Sequence, residues 1–212
     1  MKTTLKVFAS SLLCFALLVP FSGQAQSEKT WSIGPELGVS FSKIGRDASD
    51  TDFKTGAVAG FFLTHSIVNS FGITGKALLY QKGYQVPVGN TTNKYTFNYL
   101  EIPILGRFFL TKEGKFRPNL FVGPSFGFLM GGTIKTGDNE AVKIANYKNS
   151  YNTFDFGVTG GLGLNFEIAN ETRLLLDARY THGLSDVSKS VLNNLNTNNQ
   201  SINVSLGVSF GF

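Results

Sequence analysis

One cysteine, two histidines and one tryptophan are all that 212 residues offer of the thiol, imidazole and indole side chains. The cysteine, Cys14, lies inside an apolar N-terminal run and departs with it on processing, so the remaining chain has no thiol for a disulfide, a metal site or a nucleophile. No metal site and no cofactor are expected. There are 24 glycines, yet no G-x-x-x-x-G-K-S/T phosphate-cradling loop occurs. Beyond the N-terminus no apolar run approaches the roughly 20 residues that a spanning helix needs. The formal charge is only +5, and the basic residues are scattered rather than clustered with aromatics. That excludes nucleic acid as an expected partner.

The N-terminus has the form of an export signal. Lys2 and Lys6 precede an apolar stretch from Val7 to Phe21, and Gly23 and Ala25 place small residues ahead of Gln26. A signal over residues 1–25 leaves 26–212 as one mature domain. A lipoprotein signal would put a small residue directly before the cysteine and a leucine three before, where Leu13 and Ser11 stand. Losing Lys2 and Lys6 lowers the formal charge from +5 to +3. An exported chain without disulfides needs another source of rigidity, and a closed hydrogen-bonded sheet in lipid supplies one.

What the chain does have is a period of two, from one end to the other. Trp31, Ile33, Leu37, Val39 and Phe41 alternate with Ser32, Gly34, Glu36, Gly38 and Ser40. Ile202, Val204, Leu206, Val208, Phe210 and Phe212 alternate with Ser201, Asn203, Ser205, Gly207, Ser209 and Gly211. Such alternation places one set on each face of a strand. Between these two, strands are predicted over 55–64, 71–82, 95–110, 116–130, 154–168 and 173–184. The connections at 65–70, 111–115 and 169–172 are short. Those at 42–54, 83–94, 131–150 and 185–199 are longer and polar. This predicts an all-β fold: an eight-stranded antiparallel up-and-down transmembrane β-barrel with short turns in the periplasm and four loops outside. Both termini are then periplasmic and the location is the outer membrane. Val58 and Phe62 interrupt the second strand, and a slip near Pro103 suggests a bulge.

The volume of the lumen decides which face points inwards. In the segment 154–168 one face carries Phe154, Phe156, Val158, Leu162, Leu164, Phe166 and Ile168, and the other Asp155, Gly157, Thr159, Gly161, Gly163, Asn165 and Glu167. An eight-stranded barrel is only wide enough inside for side chains. The bulky set would overfill it, so the apolar face is predicted to meet lipid. The inward set then includes Glu36, Lys76, Glu101, Arg107, Arg117, Asp155, Arg173, Asp177 and Arg179, expected as a buried ion-pair network that plugs the barrel. A gated ion path is the sharper alternative for the same residues.

Some eight-stranded outer-membrane barrels modify lipid with a histidine, a serine and a carboxylate. Here His65 falls near a periplasmic turn, whereas His182 falls near the outer rim, facing lipid, with Ser185 and Asp186 following. That spacing alone does not build a relay, and the reading adopted is non-catalytic, with catalytic residues none.

The stretch Asn98-Tyr99-Leu100-Glu101-Ile102-Pro103 resembles the PorT-like outer-membrane β-barrel proteins of Bacteroidetes, which carry Tyr-Leu-Glu-Ile-Pro in the fourth strand. Leu79-Tyr80-Gln81-Lys82-Gly83, Gly123-Pro124, Arg179-Tyr180 and the terminal Phe212 also fit. The resemblance implies the same fold and location across the mature chain. The family's named member is linked to protein secretion across the outer membrane, and by analogy alone a secretion component is a further alternative. The expected protein is a monomer with outer-membrane lipid as its partner. Its four loops would carry a structural or binding role towards a protein or glycan.

Overall fold

The computed structural model describes residues 30–45, 51–89, 91–189 and 197–212. The export signal over 1–25 and the tip of the last loop, 190–196, lie outside the described residues. Eight long strands form the wall: β1 (Trp31–Ile44), β2 (Asp52–Val68), β3 (Phe71–Val88), β4 (Thr91–Phe109), β5 (Phe116–Thr136), β7 (Phe154–Ala169), β8 (Thr172–Asp186) and β9 (Asn198–Gly211). A two-residue strand, β6 (Val142–Lys143), and one helical turn, α1 (Tyr147–Ser150), lie in the β5–β7 loop. Each long strand pairs antiparallel with its neighbours, β1 pairs with β9, and β4 pairs with β5. The eight-stranded ring is therefore closed, and no long strand is left with an unpaired edge.

The faces divide as lumen volume requires. Along β7, Val158 is 43% exposed while Thr159 beside it is 0% exposed. Leu37, Phe61, Leu79, Leu120, Leu162 and Leu206 all point out of the ring and are exposed. Aromatics cluster towards both ends of this belt. Phe71 with Phe108 and Phe116 with Phe166 pack on the side of the short turns, and Phe128 with Phe154 on the side of the long loops. Along β4 the belt runs from Phe108 to Leu100, roughly 20 Å in height at about 3.4 Å per residue and a tilt near 40°. That is close to the apolar band of a membrane barrel.

The inner face is not purely polar. Val58 and Phe62 are both inward and 2% exposed, so they do not break β2. They occupy lumen that glycines leave open: a Cβ at Gly34 or Gly207 would meet the Phe62 ring at 3.1 or 3.0 Å. Register is also continuous across Pro103, which pairs with Ser125, and the expected bulge is not there. The ladder shifts instead at Asn98/Tyr99, where the extra residue lies in β5 at Met130. Ser125 and Pro103 stay in register because the strands on each side hold the ring, and a missing N–H costs a single ladder bond.

Strands run beyond the predicted spans, above all in the expected loop 83–94. There β3 continues to Val88 and β4 resumes at Thr91, leaving a tight turn at Gly89, whose φ is 58°. Above the belt there is no apolar outer face to reveal the strand, so alternation fades while pairing persists. Tyr84 stacks on Tyr95 across this extension at 4.6 Å. The 131–150 connection likewise begins as strand to Thr136 before β6 and α1.

The belt makes a graded prediction. Val158→Arg, near mid-height, should destabilise the folded barrel by about 2–4 kcal/mol, and Ile168→Arg, at the rim, by about 0–1 kcal/mol. Unfolding titrations in lipid vesicles measure both, and the reverse order would contradict this assignment of faces.

Candidate functional site in the barrel interior

Depth along the lumen sorts the inward charges into two groups. On the short-turn side, the neighbouring strands β7, β8 and β5 bring Gly163, Asp177 and Asn119 to one level. Asp177 lies at the centre of a five-residue cluster. Its carboxylate accepts from Arg107 Nη2 at 2.7 Å, Arg107 Nη1 at 3.1 Å and Lys76 Nζ at 2.9 Å. Lys76 also donates to Glu36 at 2.5 Å, and Arg179 Nη2 stands 2.9 Å from the other Glu36 oxygen. That last contact is an ion pair without hydrogen-bond alignment. Asn119 accepts from Arg107 at 2.6 Å and donates to Asn165 at 3.2 Å.

Two glycines make room for this cluster. A Cβ at Gly163 would lie 2.5 Å from Asn119 Oδ1 and 2.6 Å from Asp177 Oδ1. At Gly161 it would meet the Phe121 ring at 2.6 Å, the ring over which Arg107 lies at 4.7 Å. Close approach, not turn geometry, demands glycine at both places.

The second group lies towards the long loops. Lys82 Nζ stands 2.6 Å from Glu101 and 3.6 Å from Asp155. Ser125 donates to Glu101 at 3.0 Å, while Ser185 and Asn199 donate to Asp155 at 3.0 and 2.8 Å. Around it packs an apolar cluster of Val58, Leu78, Tyr80, Phe97, Tyr99 and Leu129, with Leu78 opposite Glu101 and Phe97 opposite Lys82, and Tyr147 and Tyr151 of the β5–β7 loop pack against this cluster. Phe97 meets Tyr151 edge-on at 4.8 Å. Burial pushes the Tyr151 hydroxyl above the ordinary tyrosine value, partly offset by its hydrogen bond with Tyr84. Tyr84, Tyr95, Ile144, Tyr147 and Tyr151 thus bring partly buried side chains together at the long-loop end.

Among the described residues nine charged side chains are buried on the inner face: Lys54, 9% exposed, donates to the Thr55 carbonyl at 3.0 Å and pairs with none of the others, and the remaining eight are four of each sign. Lys76, Lys82, Arg107 and Arg179 face Glu36, Glu101, Asp155 and Asp177, and each is at most 6% exposed. Lys82 was absent from the expected set, although it lies on the same face of β3 as Lys76 and could be read by parity. Arg117 and Arg173 were expected in the network and are not in it. They stand at the short-turn rim, since each is close to the start of its strand. Arg117 donates to the carbonyls of Thr111 and Asn69 and lies over Phe109. Arg173 pairs with Glu167 at 3.2 Å, the two side chains 27% and 33% exposed.

The histidines do not join a relay with these groups. His65 stacks on Trp31 at 4.2 Å near the short-turn rim. His182 is on the outer face of β8 beside the Tyr180 hydroxyl, 3.3 Å away. Ser185 points inward to Asp155, and the Asp186 carboxylate accepts the Thr197 N–H at 2.9 Å. Among the described residues no group of three or more His, Cys, Asp or Glu side chains is placed to hold a metal ion.

A family model described as outer membrane protein beta-barrel domain matches residues 24–189. Among solved structures, the chain resembles the neisserial surface protein A, with a TM-score of 0.57 and 12% identity over 88% of this chain and 100% of that one. It also resembles the outer membrane protein OprG from Pseudomonas aeruginosa, with a TM-score of 0.50 and 12% identity over 89% and 99% of the two chains. No curated protein sequence matches.

Removing one member of the Asp177 cluster should leave a buried charge uncompensated. Asp177→Asn is expected to cost about 3–5 kcal/mol, against less than about 1 kcal/mol for Arg173→Ala at the rim. Adding Lys76→Met to Asp177→Asn should restore part of the loss. Equilibrium unfolding in vesicles reads all three, and independent, additive effects would contradict a shared network.

Proposed function

The chain belongs to the family of outer membrane protein beta-barrel domains, and from that premise we propose that it works as a sealed, non-catalytic barrel whose loops carry any recognition. The observation that carries this reading is the buried network in which Lys76, Lys82, Arg107 and Arg179 pair with Glu36, Glu101, Asp155 and Asp177, with aromatic side chains packed at its long-loop end. Oppositely charged side chains that pair across a narrow lumen leave little space for a water column. The alternative of a gated ion path would require these pairs to part.

The orientation proposed is the usual one for such barrels, with short turns and both termini in the periplasm and the long loops outside. Outer-membrane lipid is the partner of the apolar belt, and a monomer suffices because the closed ring leaves no long strand edge to pair. The non-catalytic reading draws support from the separation of His182, Ser185 and Asp186 between the two faces and the loop. A loop-borne protein or glycan partner is the binding role proposed.

The finer likeness to PorT-like proteins has one supporting observation. Its two longest matching pieces lie on paired strands, and the Lys82–Glu101 ion pair joins them inside the lumen. Pro103 and Tyr99 share the inward face with Glu101. This favours a common interior scaffold, and a secretion role stays an analogy.

Planar-bilayer recording tests the seal. The purified protein should show no stable, large conductance at moderate voltage. A persistent wide open state would overturn the proposal, and Asp177→Asn or Glu101→Gln should be leakier than the parent if the ion pairs form the barrier.

A further inference from the structure

Above the apolar belt three lysines stand on the outer wall with no ion pair among the described residues. Lys94 on β4 is directly opposite Lys135 on β5. Lys143 on β6 is opposite Thr133, which puts it diagonal to Lys135 on the same face. All three are exposed. None makes an ion pair or side-chain hydrogen bond among the described residues. Asp52 lies two strands from Lys94, across Gln85, and Asp138 and Glu140 follow in the loop, yet no carboxylate pairs with any of the three. Like charges directly opposite on a sheet destabilise it. The strand extension that carries them is otherwise polar on this face, with Gln81, Gln85, Asn98, Thr96 and Thr133.

Their direction and height select the partner. They share the outward face of Leu100 and Asn98, so they look sideways over the surrounding lipid rather than up into solvent. From Leu100, in the last apolar row, to Lys94 the strand climbs roughly 20 Å, or about 15 Å in height at a tilt near 40°. A phospholipid headgroup layer is only about 5–8 Å deep on each side of the hydrocarbon. The charges therefore stand beyond ordinary phospholipid phosphates, at the level of a longer polar head.

We propose that Lys94, Lys135 and Lys143 form a docking surface for the phosphorylated saccharide head of a glycolipid in the leaflet around the long-loop end of the barrel. Lysines rooted on adjacent strands, their Cβ atoms about 5–8 Å apart, can reach phosphates carried on neighbouring sugars. The bound anion relieves the Lys94–Lys135 repulsion, so the lipid also steadies the β3–β4–β5 extension. The assignment to the outer leaflet depends on the orientation proposed above, whereas the lysine–phosphate chemistry does not.

The test uses the full mature chain in phosphatidylcholine vesicles containing one added lipid: a phosphorylated glycolipid, its dephosphorylated form, or phosphatidylglycerol. Lipid retained by the protein is measured by native mass spectrometry. The parent should retain the phosphorylated glycolipid at least tenfold better than the dephosphorylated form, and the Lys94→Gln, Lys135→Gln, Lys143→Gln triple variant should lose that preference. Phosphatidylglycerol and free orthophosphate should not distinguish parent from variant. Equal glycolipid retention by both proteins overturns the proposal, and an equal loss with phosphatidylglycerol overturns the long-headed partner. Thermal unfolding of the variant checks that the barrel is intact. Reaction of Lys135 with an impermeant amine reagent on whole cells reads orientation separately. Failure there would reassign the leaflet without touching the vesicle result.

Discussion

Closing the sheet, β4 onto β5, removes the unpaired backbone edges and at the same time fixes how wide the lumen can be. Every later feature answers to that width. Phenylalanine and leucine cannot line such a space on all strands, so they go outside, and outside must then be hydrocarbon. Small residues go inside, and where a large one enters, glycines opposite it give way. Phe62 against Gly34 and Gly207, and Phe121 against Gly161, are the two clearest instances.

The same width explains why charges are tolerated. An isolated ion in the lumen would cost several kcal/mol. Side chains from opposite walls can reach one another across eight strands, however, and here they do. Asp177 from β8 meets Arg107 from β4 and Lys76 from β3, while Asp155 from β7 shares Lys82 of β3 with Glu101 of β4. All but Lys82–Glu101, which joins the paired strands β3 and β4, link strands that are not neighbours in the ladder. Replacing them by apolar residues of equal volume could be neutral for stability. What the charged arrangement adds is a set of cross-lumen links that hold only in one register, since a one-residue slip of a strand sends its whole inner set to the lipid face.

Much of this was legible because a period of two is a strong signal wherever one face meets lipid. The faces of β1, β7 and β9 follow directly from alternation, and seven of the expected charged residues, from Glu36 to Arg179, are indeed inward and buried. Parity gives the face and not the depth, so Arg117 and Arg173 at the rim read the same as residues far above them. Lys82 shares the parity of Lys76, but it falls at the end of the alternating run, where the signal for the inner face fades. The hairpin above the belt was hidden for a different reason. Tyr84, Tyr95 and Phe97 pack inward while the outward residues are polar and meet water, so no lipid-facing stripe marks the strands. The aromatic packing from Tyr147 and Tyr151 depends on how a loop folds back, and local sequence carries no register for that.

The most direct measurement of the central claim is solid-state NMR of the protein in lipid bilayers, with side-chain nitrogens of Arg and Lys correlated to carboxylate carbons. A lumen filled by paired charges predicts contacts from the Asp177 carboxylate to both Lys76 Nζ and Arg107 Nη2, and slow exchange of those protons with water. Rapid water exchange at Lys76 and Asp177, with those contacts missing, would mean a solvated channel and would contradict it.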